Sequence, residues 1–445
     1  MESFESIVRS NIAKIKTELD DLDIESMARE TGIIQRQERK LSAGNFLLAL
    51  LALSAGCAPT LEKIAVVVKL IINDSYSKQA VFKRVDKGID KFLGRVVAQV
   101  FTDLTNRSDR MGLLSSFNRV LLQDSTTLKL PVHFSEAFPG SANQKQKSSQ
   151  SSMKIQLISE LFSGRILQLS LSGFTRNDQA ASGDILSVAS EGDLVLRDLG
   201  YFVPKNFKLM IERGIFFLSR YHRGTSLIEP DTGQPINLCK KLRKLDKLDI
   251  NVQLGVKHRV PVRLVCSRAP EAVANERRRK AKATAKKDKR YPPTKDGLFL
   301  MGWSIYITNV GTDVWNCEDF TSIYRLRWRI EIIFKAWKSH LKITELNFAS
   351  EPMLRLSIMT KLLFCAMTHH TCTFLERFSP DSMQVSLLRV ARIFSDCATL
   401  IAAMVLNILP EEYLLHVFRC SSFYEHRTDR KNFGLLLIET GGSLG

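Results

Sequence analysis

Between Tyr324 and Lys338 the chain reads Tyr-Arg-Leu-Arg-Trp-Arg-Ile-Glu-Ile-Ile-Phe-Lys-Ala-Trp-Lys. Wound as one helix at about 100° per residue, it puts Tyr324, Arg327, Glu331 and Lys338 in a stripe about 60° wide. Leu326, Ile330, Ile333, Phe334 and Trp337 form a separate apolar face. An Arg327–Glu331 ion pair at i,i+4 accounts for two of the polar residues, but not for Tyr324 and Lys338 in register with them. Two further carboxylates sit at the ends of apolar runs. Asp124 follows Val-Leu-Leu-Gln, and Asp198 follows Leu-Val-Leu-Arg. Asp193 is a rival to Asp198, but it precedes that apolar run instead of ending it. Three acids brought together repel one another unless a cation neutralises them. Hard oxygen ligands of this kind suit Mg²⁺ or Mn²⁺, and two such ions can activate a water or a 3′-hydroxyl at a phosphodiester.

The elements that must carry these residues can be read in outline. Short β-rich runs at 120–124, 153–161, 165–171 and 194–198, with a helical stretch near 179–190, open a mixed α/β sheet. A Gly/Ser/Gln/Lys-rich loop, 139–152, separates the first two. Strands recur from 223 to 297 in a segment that looks inserted. It ends in the run 277–290, nine basic residues and one acid, which reads as a solvated or disordered tract adding nonspecific affinity for phosphates. A strand near 299–310 precedes the Glu331 helix, and 346–445 is largely helical and apolar. The expected division is therefore 1–112 helical, 113–222 first part of the core, 223–297 insertion, 298–345 end of the core and 346–445 a helical C-terminal region.

The 445 residues carry a formal net charge of +18, which favours a polyanionic partner, nucleic acid before an acidic membrane. The longest uncharged apolar stretch, 46–57, is too short to span a bilayer, and the N-terminus lacks the regions of a signal peptide. Eight cysteines without a Cys-x-x-Cys pair read as a reducing, cytoplasmic protein. Cys365, His369, His370 and Cys372 fall in an apolar helical run, where buried Cys and His are ordinary. Near the N-terminus, 60–92 resembles a helix-turn-helix. A helix over 61–72 reaches a turn at Asn73-Asp74-Ser75, and Ser77 can cap a second helix carrying Lys78, Gln79, Lys83 and Arg84. Two core helices with a solvated basic face remain the alternative.

Tyr324, Arg327, Glu331 and Lys338 match the Y-x2-R-x3-E-x6-K signature of the insertion-sequence-4 family of bacterial DDE transposases, which this chain resembles over roughly 60–345. The blocks around Asp124, Asp198 and Ile307 agree. The resemblance implies a ribonuclease-H-like catalytic core interrupted by a β-rich insertion, with flanking helical regions. It also implies Asp124, Asp198 and Glu331 as ligands of two Mg²⁺ or Mn²⁺ ions, and Tyr324, Arg327 and Lys338 as phosphate contacts. In relatives that excise through a DNA hairpin a tryptophan stacks on a flipped base, and Trp303 is the candidate for it. The implied partners are double-stranded DNA and a second copy of the chain on paired DNA ends, with no membrane. The implied setting is the bacterial cytoplasm, with nucleoid association. Two rivals stay open: a DNA-binding protein derived from a transposase that no longer cuts, and a stand-alone nuclease of the same fold.

Overall fold

The computed structural model describes residues 23–34, 40–54, 58–85, 88–99, 112–141, 150–288, 291–378 and 385–398. Among the described residues the first five helices are α1 (Ile24–Glu30), α2 (Ala43–Ser54), α3 (Leu61–Ile72), α4 (Lys78–Val85) and α5 (Ile89–Gln99). The Thr60 hydroxyl accepts the Lys63 amide to start α3, and Asn73 in the left-handed conformation ends it. Ser77 then caps α4 through the Ala80 amide, at 3.2 Å. Lys78, Gln79 and Lys83 are exposed on α4. Arg84 is not. It is 4 % exposed, lies over the Phe46 ring and donates to the Leu41 carbonyl, so its reading as a DNA contact is corrected. Val81, Arg84 and Val85 share one helix face, and the arginine goes inward with the valines.

Nine strands follow: β1 (Val120–Leu130), β2 (Ser151–Glu160), β3 (Ile166–Gly173), β4 (Leu194–Arg197), β5 (Phe216–Arg220), β6 (Leu227–Ile228), β7 (Lys247–Leu254), β8 (Val260–Arg268) and β9 (Trp303–Thr308). They form one sheet in the order β3-β2-β1-β4-β5-β9-β8-β7-β6. β1, β4 and β5 are parallel to one another, and every other pairing is antiparallel. The apolar runs read from the sequence are thus strands, and the stretch near 179–190 is a 3₁₀ segment, Ala180–Ser187. This is a mixed α/β, ribonuclease-H-like core with helical regions on either side. The strands of 223–297 extend the same sheet past β9.

The helices between and after the strands are α6 (Pro204–Glu212), α7 (Leu238–Leu242), α8 (Glu271–Lys287), α9 (Lys295–Leu300), α10 (Phe320–Arg325), α11 (Trp328–Ser339), α12 (Glu351–Phe378) and α13 (Leu387–Asp396). α1 to α5 and α10 to α13 share one apolar core on one face of the sheet. α6, α7 and β6 to β8 share a second core on the other. The basic run expected to be solvated or disordered is solvated but helical: most of α8 from Arg279 on is exposed; residues 289 and 290 lie outside the described residues. Its Ala, Lys, Arg and Glu content favours a helix. Arg277 and Arg278 anchor it by donating to the carbonyls of Trp303 and Leu298, both at 3.2 Å. Cys365, His369 and Cys372 are buried in α12, while the side chain of His370 lies outside the described residues. So do most of the loop 139–152 and the apolar C-terminal stretch from 399. Among the described residues no helix is long and apolar enough to cross a membrane.

Candidate active site

Strand register places the two aspartates side by side. β1 and β4 pair in parallel up to Gln123 opposite Arg197, so Asp124 and Asp198 are the next residues of each chain segment. Side chains alternate across a sheet. Gln123 and Arg197 point to one face, where the Arg197 guanidinium donates to Gln123 Oε1 at 3.2 Å and to the Ser182 carbonyl at 2.9 Å. Asp124 and Asp198 point to the other face, where α10 and α11 lie.

The Tyr324–Lys338 segment is two helices instead of one. α10 ends at Arg325, and the chain crosses Leu326 and Arg327 on tightened turns, with the Arg327 amide bonded to the Tyr324 carbonyl at 3.2 Å and the Arg329 amide to that of Leu326 at 3.0 Å. The joint turns Tyr324 inward, to 5 % exposure. Its hydroxyl stands 3.4 Å from Asp198 Oδ1 and its ring 5.3 Å from that of Tyr306. Arg327 reaches Asp124 Oδ2 at 3.3 Å and is also paired with Glu331. Lys338 Nζ donates to the Thr127 carbonyl on β1, at 3.2 Å. Tyr324 therefore meets the end of β4, Arg327 and Lys338 meet the middle of β1, and Arg327 holds Glu331 beside them, although by a different backbone path than a single helix.

Electrostatics at this cluster follow from burial. Asp124 is pushed up to about 6, first by loss of water and then by the charges of Asp198 and Glu331, against the pull of the Ser125 amide and Arg327. Burial opposes the charge of Arg327, but Tyr324, Asp198 and Glu331 outweigh it and hold the guanidinium protonated. Burial raises the Tyr324 phenol as well. The guanidinium is thus the cation among three carboxylates. Among the described residues no three acidic, His or Cys side chains form a ready metal cage. The donor set still fits hard divalent ions: it consists of carboxylate oxygens, with an excess of negative charge over the one arginine.

The model of the transposase DDE domain matches residues 115–367, more than half of the chain. This chain belongs to that family. It is 27 % identical over 362 residues to the transposase of insertion sequence element IS231C from Bacillus thuringiensis subsp. berliner, covering 76 % of this chain and 75 % of that protein. To the transposase of IS1151 from Clostridium perfringens it is 28 % identical over 355 residues, covering 75 % and 74 %. The DDE transposase family is a family of nucleic-acid-processing enzymes that generally use divalent metal ions.

Other residues named from the sequence lie elsewhere on this transposase fold. Asp193 is at the opposite end of β4, clamped by Arg119 at 2.5 Å. Trp303 is 4 % exposed, and it faces the second core with Ile305 and Ile307 while Tyr306 faces the acids. Trp328, at the first position of α11 beside Arg327, is 60 % exposed. Nothing in the sequence distinguishes the two.

A polar network unmarked by any motif backs the site. Asp178 accepts from Ser125 Oγ at 2.7 Å and Gln156 Nε2 at 3.3 Å, and pairs with Lys154 at 2.8 Å. Tyr201, three residues past Asp198, donates to Gln156 Oε1. Burial works against the Asp178 charge, but these partners hold its carboxyl below the usual range. A Cβ on Gly200 would stand 3.1 Å from Asp178 Oδ2, so the turn after Asp198 packs directly on this network. Asp178→Ala leaves the buried Lys154 without a carboxylate. We expect a loss of about 2 kcal/mol, after allowing for the partial exposure of Asp178. Urea titration of the variant and the wild type checks it; equal midpoints would show that the network carries no stability.

Proposed function

We propose that this protein is a DNA transposase of the insertion-sequence-4 kind, which cuts at the ends of its element and joins the 3′-hydroxyls to target DNA. The observation that carries the reading is the convergence of Asp124, Asp198 and Glu331 on Arg327 where the parallel pairing of β1 and β4 ends. Asp124, Asp198 and Glu331 would hold two Mg²⁺ or Mn²⁺ ions, which when bound supply an activated oxygen nucleophile and stabilise the leaving oxygen. Arg327, Tyr324 and Lys338 orient the phosphate of the strand being cut, and no residue of the chain bonds covalently to DNA. Lys78, Gln79 and Lys83 of α4 contact the duplex away from the cut. Processing of paired ends calls for a dimer, and a bacterial protein acting on chromosomal DNA works at the nucleoid. A gel shift and a nicking assay on one duplex carrying the inverted repeat that brackets the gene test this reading. A transposase shifts and nicks it with Mg²⁺; shifting without nicking would leave a DNA-binding protein, and hydrolysis without strand transfer a nuclease.

Trp328 takes over the stacking role first read onto Trp303. An exposed indole beside a phosphate-binding guanidinium is a platform for an unstacked base, whereas Trp303 would have to leave the core. We expect Trp328→Ala to weaken binding of a duplex with an unpaired base at the cut by about 1–3 kcal/mol, while Trp328→Phe retains most of it. Anisotropy with 2-aminopurine at that base reads the effect; unchanged quenching in Trp328→Ala would remove the assignment.

A further inference from the structure

Three arginines, of which the first lies beside the acidic cluster and the others follow on from it, have no use in the scheme above. β4 and β5 pair in parallel up to Arg197 opposite Ser219, so Arg220 stands in the same row as Asp124 and Asp198 and on the same face. Its guanidinium lies 5.2 Å from the centre of the Tyr324 ring. Across the ladder Arg220 pairs with Tyr306 of β9. At the start of β9, Arg277 of α8 donates to the carbonyls of Trp303 at 3.2 Å and Met301 at 3.4 Å. Arg223 donates to the Gly297 carbonyl at 3.2 Å. Arg277 lies near enough to feel the charge of Arg220, and Arg223 that of Arg277; burial first, and then the neighbouring cation, lowers the guanidinium of Arg277 and of Arg223.

Among the described residues none of the three forms an ion pair with a carboxylate. Other arginines of this chain do so: Arg119 with Asp193, Arg176 with Asp184, Arg263 with Asp249 and Arg355 with Glu351. Carbonyls and rings orient Arg220, Arg223 and Arg277 but leave their charge unbalanced. Clustered guanidinium groups without counter-charge are a cost that an anion with several oxygens removes, and phosphate is the planar fork's natural partner. From Arg277 the charge continues along the outer side of α8, where Arg279, Lys282 and Lys286 are exposed beside Lys280, which is paired with Glu276. A helix of this length runs about 25 Å, roughly the axial length of seven base pairs.

The acids are therefore bracketed. Lys338 touches β1 on one side, and the arginines begin on β5 on the other. We propose that Arg220, Arg223, Arg277 and the outer face of α8 form a phosphate-binding track that grips duplex DNA on the opposite side of the cut from Lys338. The inference rests on the reading of the acids as the cutting centre, and it gives the insertion a job: it clamps the DNA that continues past the cut.

The test measures binding alone. A fluorescein-labelled 30-base-pair duplex of arbitrary sequence is titrated with full-length protein in EDTA, at KCl concentrations from about 50 to 200 mM. The logarithm of the binding constant falls with that of salt by about 0.9 per phosphate contact. For Arg220→Gln/Arg223→Gln/Arg277→Gln we expect the slope to shrink by roughly 2 to 3, and for Arg223→Gln alone by about 1. The control Lys208→Gln/Arg392→Gln removes exposed cations on α6 and α13 and should keep the wild-type slope. If circular dichroism shows that the triple variant has lost α8, Arg220→Gln/Arg223→Gln carries the test, because it leaves the Arg277 anchors in place. A wild-type slope in the folded variants overturns the track, as does an equal drop in the control. Without divalent ions the assay cannot cut, so failure here leaves the role of the acids to the substitutions that test it.

Discussion

Replacing any one acid of the cluster should abolish cutting while leaving the protein on its DNA. For Asp124→Asn, Asp198→Asn and Glu331→Gln we expect Mg²⁺-dependent nicking of a duplex carrying the element's end to fall by about a thousandfold or more. A divalent ion supplies several kcal/mol of charge stabilisation at a phosphoryl centre, and each factor of ten in rate is about 1.4 kcal/mol. The three changes remove charge but keep shape, so a gel shift on the same duplex should be retained. The geometry also predicts a difference among them. The Asp124 side chain is 18 % exposed and pushed up to about 6, whereas the Glu331 side chain is 42 % exposed. Loss of Asp124 should therefore show no rescue by raised Mn²⁺, while Glu331→Asp, with the carboxylate drawn back toward the helix, should regain measurable nicking. Full cleavage by Glu331→Gln would sink the assignment of the triad.

How much of this was legible in the sequence depends on whether the deciding force is local. The positions of β1 to β4 follow from their apolar runs, and Asp198 directly follows β4; Asp124 ends its apolar run but lies within β1, which continues to Leu130 on the strength of its pairing with β2. The joint at Leu326–Arg327 was not legible. Neither Pro nor Gly marks it, and both residues are good helix formers; the break comes from seating Tyr324 beneath Asp198 and Arg220 while Glu331 still faces Asp124. The exposure of α8 is legible in its charge, but its helical order is not, because its anchors, the carbonyls of residues 298–303, lie on other elements. Arg84 is a different case. Its spacing from Val81 and Val85 places it on the buried face, a signal in the sequence that runs against its charge. Trp303 and Trp328 separate only once the faces of β9 and the end of α11 are known.

Arg327 has a second consequence, for stability. Among the described residues its guanidinium is the one cation that bonds to both Asp124 and Glu331. Removing one member of a largely buried charge cluster leaves the others uncompensated, at a cost of about 3–5 kcal/mol. We expect Arg327→Ala to lose that much at pH 8, read as the urea midpoint. The size of the loss should depend on pH, in a direction fixed by Asp124. Its folded pKa of about 6 lies above the ordinary 3.8, so the native site binds a proton more readily than the unfolded chain. The contribution of Asp124 is thus most favourable below about pH 4 and is lost as pH rises through about 6. Two units correspond to about 3 kcal/mol, so Asp124→Asn should stabilise the metal-free protein by up to that amount at pH 8 and by almost nothing at pH 4. Arg327 pulls the Asp124 pKa down, and without it the window extends to higher pH. The deficit of Arg327→Ala should therefore shrink on acidification, as the proton takes the place of the guanidinium. Mn²⁺ should shrink it at pH 8 for the same electrostatic reason, since ions that bind only the folded site stabilise by mass action. A deficit that is the same at pH 5 and pH 8, and indifferent to Mn²⁺, would mean that Arg327 supports the fold by packing and does not balance the charge of the acids.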